Sequence, residues 1–195
     1  MGTRGVAEIP TIDFTPFNKE AGVVIGEAPT AGQQEVAAQI DAACRDHGFL
    51  RLVNFGLGAR EIEAAFAASS ELFGLPDEAK AGLAAHTPED NLGFVPLASE
   101  TTGGGGRNAD AKEAYEVGFP GVRDNNFEGC PRGFEAMVEG LWERVNRAGR
   151  RYCVACELAL GLESGFFLRT FSADPGPDLC TMKFLHCELT PPPPP

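Results

Sequence analysis

The hydrophobic and polar positions of this chain predict helices joined to short strands by loops. Residues 33–47 carry apolar side chains three and four positions apart, which predicts an amphipathic helix with Gly48 as its left-handed C-cap. The apolar run 49–53 ends at Asn54, and its length and flanking turn residues predict a strand with little solvent on either face. We expect this strand to lie at the centre of the fold.

The same spacing predicts two further long helices. The first covers residues 59–73 and ends before Pro76, since proline cannot continue the hydrogen-bond ladder. The second runs for about 28 residues between Pro131 and Gly161, long enough to cross a domain at about 1.5 Å per residue. The predicted buried face of the first helix consists of Ile62, Phe66, Ser69 and Phe73.

The remaining segments predict strands, short helices and loops. Residues 8–14 and 179–187 have the composition of strands, and Pro10 indicates that the first lies at or near a sheet edge. Glycine and proline are frequent in residues 87–132, which predicts an irregular wall with one or two short strands, and 112–118 is the best candidate. Short helices are expected at 76–85 and 164–171.

Composition narrows the possible classes of protein. A chain of 195 residues with 43% hydrophobic content can form one domain with a core. Neither a signal peptide nor a run of about 18 apolar residues is present, so we expect a soluble, cytoplasmic protein without membrane contact. The net charge is −12 without a Lys/Arg cluster, which argues against nucleic acid as a partner. The six cysteines are expected to be reduced thiols.

Three histidines limit any metal or acid-base site in this chain. His186 and Glu188 form an H-x-E pair, and residues two apart on a strand share a face, as in a two-histidine, one-carboxylate iron site. A third ligand is missing, so a partly buried strand histidine is favoured. His47 beside Asp46 is better explained as a helix-end histidine than as a general base. No motif near His86 indicates a functional role for it.

Two other motifs also favour structural explanations. Cys153 and Cys156 form C-x-x-C inside the long predicted helix, where core packing is favoured over a metal or redox site. The run Gly103–Gly106 before Arg107 lacks the Lys-Ser/Thr of a P-loop, so a flexible loop is favoured. A minor alternative is a thiol-metal site made of Cys153, Cys156, Cys180 and His186.

The order of short motifs along the chain carries more information than any single motif. This succession resembles the N-terminal region of the isopenicillin N synthase-like, 2-oxoglutarate- and Fe(II)-dependent dioxygenases, from about residue 8 to residue 186. The motifs are Ile9-Pro10-Thr11-Ile12-Asp13, Gly48-Phe49-Leu50, Asn54-Phe55-Gly56, Phe73-Gly74-Leu75-Pro76-Asp77-Glu78-Ala79-Lys80, Asp110-Ala111-Lys112-Glu113 and Met182-Lys183-Phe184-Leu185-His186.

The resemblance implies a fold class and a division of the chain. It implies an α+β protein with the N-terminal helices and sheet strands of a double-stranded β-helix, or jelly-roll, oxygenase, most of whose jelly roll is expected to be absent from these residues. The expected parts are a flexible N-terminus at 1–7, a dioxygenase N-terminal domain at 8–120, a long helix and first barrel strand at 121–187, and a proline-rich stub at 188–195.

Two positions depart from the family pattern. Phe55 stands where the family usually has histidine, a position that is normally structural. Cys187 stands where the family often has a tyrosine that helps to hold 2-oxoglutarate. The family's iron ligands, H-x-D and a distant histidine, and its Arg-x-Ser for the co-substrate are expected downstream of this strand. We therefore assign no catalytic, cofactor-binding or metal-binding residue to this chain.

The resemblance also implies a reaction, in which a small organic substrate is oxidised while 2-oxoglutarate and O2 are converted to succinate and CO2 with Fe(II) as the metal. Because the ligands are expected elsewhere, we expect no cofactor in this chain and no activity of the chain alone, and whether the chain itself is an enzyme stays open. The alternative is a non-catalytic interaction protein that reuses the oxygenase N-terminal fold. The sequence indicates neither the substrate nor the oligomeric state.

Overall fold

The computed structural model describes residues 8–18, 26–84, 92–97, 99, 111–170 and 180–187. The chain forms two compact units: the first comprises Met1–Ala59 and Glu143–Asp174, and the second comprises Arg60–Trp142 and Pro175–Pro195. The predicted flexible N-terminus and proline-rich stub lie outside the described residues.

The described residues form a mixed helix and sheet architecture, and most predicted elements are confirmed. In chain order the elements are β1 (Thr11–Asp13), a 3-10 helix (Thr15–Phe17), α1 (Ala31–Asp46), β2 (Arg51–Val53), α2 (Ala59–Phe73), α3 (Asp77–Ala81), β3 (Gly93–Val95), β4 (Lys112–Gly118), α4 (Phe134–Ala159), α5 (Phe166–Thr170) and β5 (Thr181–Cys187). The long helix has 26 residues rather than about 28.

Helix α1 has well-defined ends in the first unit. The Thr30 hydroxyl accepts a hydrogen bond from the Gln33 backbone N–H at 3.3 Å, and the Gln33 side chain accepts one from the Thr30 N–H at 2.9 Å. This capping box satisfies two N–H groups that would otherwise lack partners. At the other end Gly48, directly after the C-cap residue His47, has φ +73°, which confirms the left-handed conformation predicted for this glycine.

The prediction that residues 49–53 form a central strand buried on both faces is wrong. The strand β2 covers only Arg51–Val53 and pairs in parallel with β1, its one partner in the described part of the chain. Phe49 is 72% exposed, whereas Leu50 and Leu52 pack towards the core of the first unit. Successive side chains of a strand point to opposite faces of the sheet, and the face that carries Leu50 and Leu52 packs against the core, so the strand is not buried on both faces.

The first unit has an apolar core of its own between β1, the 3-10 helix, α1 and α4. Its buried members are Ile12, Phe14, Phe17, Val36, Ile40, Ala43 and Ala155. The α4 residue Glu157 is buried beside this core, and its carboxylate accepts hydrogen bonds from the backbone N–H groups of Gly165 at 2.7 Å and Phe167 at 2.9 Å. These bonds fix the start of α5, because they satisfy donors that a helix leaves without partners.

The second unit contains an antiparallel sheet in the order β3-β4-β5. The buried side chains around it come from α2, the sheet and the first part of α4: Leu72, Phe73, Leu83, Phe94, Tyr115, Val117, Phe134, Val138 and Trp142. The prediction of one or two short strands within 87–132 is therefore confirmed, with 112–118 as β4, whereas β3 was not located from the sequence. Strand β4 is buried along nearly its whole length, which places its charged side chains inside the unit.

The predicted buried face of α2 is partly wrong. Phe73 is buried as expected, but Phe66 is 71% exposed, and Leu72 is buried instead. Ala68 packs against the core of the second unit. Ala68 and Leu72 therefore lie on the side of α2 that faces the core, whereas the periodicity predicted that Phe66 would lie there.

Candidate functional site

Two of the motifs that carry the family resemblance meet in the first unit at Asp13. One carboxylate oxygen of Asp13 accepts hydrogen bonds from the Asn54 side-chain amide at 2.9 Å, the Thr15 backbone N–H at 3.0 Å and the Thr15 hydroxyl at 2.6 Å. The bonds from Thr15 and then from Asn54 hold the pKa of Asp13 below its usual value. Asn54 has φ +57°, a left-handed conformation that asparagine tolerates. This contact, the Asp13–Asn54 contact, ties β1 to the end of β2.

Three other motifs meet in the second unit at Glu113. Lys80 of α3 donates to one carboxylate oxygen at 2.8 Å, and His186 Nδ1 lies 2.8 Å from the other. Lys80 and Glu113 are only 8% and 7% exposed. The Lys80 ammonium also lies 3.2 Å from Asp77 and 5.4 Å from the centre of the Phe94 ring. We call this group the Lys80–Glu113–His186 cluster.

Neighbouring strands position His186 within the cluster. Glu113 of β4 and His186 of β5 are directly opposed in the antiparallel register, so their side chains share one face of the sheet. The imidazole stacks on Phe73 with ring centres 5.5 Å apart and an angle of 26°, and it is about half exposed. The strand histidine expected from the sequence is therefore more exposed than predicted, with a carboxylate and an aromatic ring as its neighbours.

The Lys80–Glu113–His186 cluster does not fit Fe(II). A metal site needs several neutral or anionic donors directed at one point, whereas Glu113 here already contacts the Lys80 cation. No group of three or more His, Cys, Asp or Glu side chains within the described ranges could hold a metal ion. Glu188, the second half of the H-x-E pair, lies outside those ranges.

The other sequence candidates that fall within the described ranges have no arrangement that supports chemistry. Cys153 and Cys156 lie within α4 as predicted, and burial raises the pKa of both thiols, which makes them poorer nucleophiles. His47 is the C-cap residue of α1, at the predicted helix end. His86 and the run Gly103–Gly106 lie outside the described residues.

The expectation that the chain has no Lys/Arg cluster is wrong for α4. Arg144, Arg147 and Arg151 of this helix line the same cavity in the first unit. Their spacing of three and four residues puts them on one face of a helix, and this periodicity is the signal in the sequence that could have identified them. The overall charge of −12 concealed a local cluster of the opposite sign.

Comparison with known proteins agrees with the motifs. Residues 9–133 match the family model described as non-haem dioxygenase in morphine synthesis N-terminal. This match includes the Asp13–Asn54 contact and the Lys80–Glu113 ion pair, whereas His186, the third member of the cluster, lies beyond it. None of the helices in the described ranges combines the length and the apolar character that crossing a membrane requires.

Individual relatives extend the similarity beyond this region. A 2-oxoglutarate-dependent dioxygenase of Didymella fabae is 34% identical over 93 residues, which are 47% of this chain and 25% of that protein. A 1-aminocyclopropane-1-carboxylate oxidase of Dictyostelium mucoroides is 22% identical over 185 residues, which are 87% of this chain and 47% of that protein.

Solved structures share the fold. A full-length Neurospora crassa protein, crystallised in complex with alpha-KG, superposes with a TM-score of 0.68 at 24% identity, covering 91% of this chain and 53% of that one. The chain thus spans about half the length of this structure and of the Dictyostelium relative, and a quarter of the Didymella protein. By its sequence match and its fold, the chain belongs to the family of non-haem, 2-oxoglutarate- and Fe(II)-dependent dioxygenases, whose N-terminal region it carries.

Proposed function

We propose that this chain supplies the N-terminal part of a dioxygenase that oxidises a small organic substrate while 2-oxoglutarate is decarboxylated to succinate and CO2. Fe(II) supplies the oxidative chemistry in such an enzyme, and the protein supplies ligands, orientation and a dry pocket. Support comes from the family match and from the Neurospora crassa protein, which was crystallised with alpha-KG and, in another structure, with alpha-KG and thymine.

The proposed division of the chain follows the sequence analysis. Residues 8–120 form the dioxygenase N-terminal domain, residues 121–187 contribute a long helix and the first strand of a jelly roll, and residues 188–195 form a proline-rich stub. The sheet order β3-β4-β5 supports this division, because β5 has β4 as its only partner in the described ranges and so offers its other edge to a further strand.

The observation that carries the proposal is the Lys80–Glu113–His186 cluster. A buried ion pair between Lys80 and Glu113 and a contact between Glu113 and His186 join three family motifs. The motif residues therefore hold the fold together here. The Lys80 ammonium neutralises Glu113, so this carboxylate is poorly suited to bind a metal cation. We therefore infer that the iron and 2-oxoglutarate ligands belong to other parts of the enzyme, and that the 195-residue chain is inactive alone.

Anaerobic titration tests this proposal directly. The purified chain is mixed with one equivalent of Fe(II) and excess 2-oxoglutarate, and the visible charge-transfer band of the ternary complex is recorded, followed by succinate formation after oxygen is admitted. We expect neither a band nor succinate. The proposal would be contradicted by a charge-transfer band that saturates at about one Fe(II) per chain and is lost in the His186→Ala variant. Such a result would make His186 an iron ligand.

The alternative function, a non-catalytic interaction protein, is favoured by a different observation. Leu185 lies on the outer side of β5 and is 52% exposed, beside the strand edge that lacks a partner among the described residues. If this alternative holds, the chain should co-purify in a stable complex with one defined protein. A Leu185→Lys variant should then lose that complex, whereas the same substitution at the exposed Phe66 should retain it.

A further inference from the structure

Two thiols from different helices lie beside one phenol in the first unit. Tyr152 of α4 forms side-chain hydrogen bonds with Cys156, one helical turn further along the same helix, and with Cys44 of α1. The Tyr152 ring packs against the core of this unit, and its centre lies 6.4 Å from the centre of the Phe14 ring, so the hydroxyl is held in place. We call this group the Cys44–Tyr152–Cys156 cluster.

The packing of α1 against α4 brings the two thiols together. Ala43 of α1 and Ala155 of α4 are buried in the same core, and Cys44 and Cys156 are the residues that directly follow them. Both sulfur atoms lie within hydrogen-bonding reach of one phenol oxygen, and the two thiols are also electrostatic neighbours of each other. Two residues that are far apart in the sequence therefore offer sulfur donors at one place.

The two thiols differ in their access to solvent. Cys44 is exposed, whereas Cys156 is half-buried and packs against the core. Burial raises the pKa of the Cys156 thiol, so this sulfur keeps its proton while no ligand is bound. A soft metal ion displaces such a proton, since a coordinating thiol is deprotonated outright. Cys44 is therefore the side from which an ion enters, and Cys156 is the shielded side.

The number and type of donors select the class of metal ion. Among the residues that the structure describes, no group of three or more His, Cys, Asp or Glu side chains could hold a metal ion, whereas a structural zinc site needs four ligands. Cu(I) is a soft ion that favours thiolates and accepts two sulfur ligands in a linear arrangement. The Tyr152 hydroxyl then donates to a coordinated sulfur, and such a contact orients a metal ligand.

From these features we propose that Cys44 and Cys156 bind Cu(I) as a two-thiolate site between α1 and α4, with Tyr152 as hydrogen-bond donor to the sulfur ligands. Binding forms two Cu–S bonds and releases the thiol protons to water, and the copper keeps its oxidation state. The site is independent of the dioxygenase proposal, because none of its residues belongs to the Lys80–Glu113–His186 cluster.

Anaerobic competition for Cu(I) tests this site. The reduced 195-residue chain is added to the Cu(I) complex of bicinchoninate, and the loss of the visible absorbance of that complex is recorded. We expect each chain to withdraw one Cu(I). Cys44→Ser and Cys156→Ser should each weaken binding more than about 100-fold, because each removes one of two ligands. Tyr152→Phe keeps both thiols and should weaken binding about tenfold.

Two other cysteines provide matched controls. Cys153 is half-buried on α4 like Cys156, and Cys180 is exposed like Cys44. Cys153→Ser and Cys180→Ser should each alter the Cu(I) affinity less than about twofold. The proposal is overturned if wild-type protein withdraws no Cu(I), or if Cys153→Ser weakens binding as much as Cys44→Ser does. Circular dichroism establishes that each variant is folded, and the exposed Cys44 decides the outcome if Cys156→Ser does not fold.

Discussion

The two contacts that join family motifs differ in their surroundings. The Asp13–Asn54 contact in the first unit lies on an exposed turn, and water can replace each of its hydrogen bonds. The Lys80–Glu113–His186 cluster in the second unit places an ammonium and a carboxylate in a largely buried position. Similar polar residues therefore have different energetic consequences, because unfolding returns buried charges to water but leaves an exposed carboxylate nearly as well solvated as before.

This difference indicates what each contact contributes to the fold. A buried ion pair contributes little net stability compared with apolar residues, yet it is strongly destabilising when one partner is removed. The cluster should therefore make α3, β4 and β5 depend on each other. The Asp13–Asn54 contact should mainly fix the geometry of a turn.

The largest effect is expected when Lys80 is removed. Lys80→Met keeps the length and the apolar stem but leaves Glu113 buried with His186 alone, which should lower the free energy of unfolding by about 3–5 kcal/mol. Urea denaturation followed by the fluorescence of Trp142 measures this value, since Trp142 is the only tryptophan in the chain and lies in the core of the second unit. A loss below about 1 kcal/mol would show that the pair behaves as an exposed one.

A double variant separates the charge from the packing. In Lys80→Met/Glu113→Met no buried charge is left without a partner, so the loss should be smaller than in Lys80→Met alone. An equal or larger loss in the double variant would mean that packing of the two side chains, rather than an uncompensated carboxylate, dominates.

Alkaline pH provides a second way to weaken the cluster. The hydrogen bond with Glu113 raises the pKa of Lys80 above its usual 10.5. A raised pKa in the folded state means that the stabilisation is complete below pH 10.5 and is lost as the pH rises through the folded-state pKa. The difference in unfolding free energy between wild type and Lys80→Met should therefore shrink above pH 10.5.

Other groups titrate in the same alkaline range but cancel in this comparison. Burial raises the pKa of Tyr115 and Tyr152, so these phenols also reduce stability at high pH. Both residues are present in wild type and variant. A difference that stays constant from pH 8 to beyond 10.5 would contradict an ionised Lys80–Glu113 pair.

Features of the fold that depend on residues close in sequence were predicted correctly, whereas features that depend on distant residues were not. The C-terminal end of α1 was predicted because Gly48 acts within one helical turn, and the long α4 was predicted because its period persists over 26 residues. The predicted burial of residues 49–53 was wrong because burial depends on which elements cover each face of the β1–β2 sheet, which a local apolar run does not encode. Phe66 was misassigned for the same reason, since tertiary neighbours select the buried face of α2.

The candidate sites show the same contrast between local and long-range interactions. Lys80, Glu113 and His186 were each noted within separate motifs, but their contact spans 73 residues between Glu113 and His186 and depends on strand register. The cavity arginines follow a local helical spacing and could have been found in the sequence. The net charge of −12, a sum over the whole chain, does not reveal a positive face on one helix.

Removal of His186 should have a smaller effect than removal of Lys80. The imidazole is about half exposed, and Glu113 keeps Lys80 in His186→Ala, so only one hydrogen bond and the stacking on Phe73 are lost. The expected destabilisation is about 1–2 kcal/mol in the same urea experiment. His186→Phe restores the stacking but not the bond and should recover part of the loss. A loss as large as that of Lys80→Met would mean that Glu113 depends on both partners equally.

Asn54 tests the exposed contact in the first unit. Asn54→Ala removes the bond to Asp13 and places alanine at φ +57°, a left-handed conformation that asparagine adopts more readily, so it should cost about 1 kcal/mol. Asn54→Gly removes the same bond without this strain and should cost less. Because the single tryptophan lies in the second unit, far-ultraviolet circular dichroism follows unfolding here. Equal losses in the two variants would mean that the hydrogen bond, not the backbone conformation, dominates.

The smallest effect is expected at Asp13 and only in acid. The hydrogen bonds from Thr15 and Asn54 lower the pKa of Asp13 below 3.8, so the stabilisation is present above that value and is lost as the pH falls through the folded-state pKa. Asp13→Asn should be slightly less stable than wild type at pH 7, and the difference should shrink as the pH falls below 3.8 and disappear below the folded-state pKa. Urea denaturation at both pH values measures it. A difference that persists in acid would mean that the carboxylate charge is not what these donors recognise, and the contrast with the Lys80–Glu113–His186 cluster would then rest on burial alone.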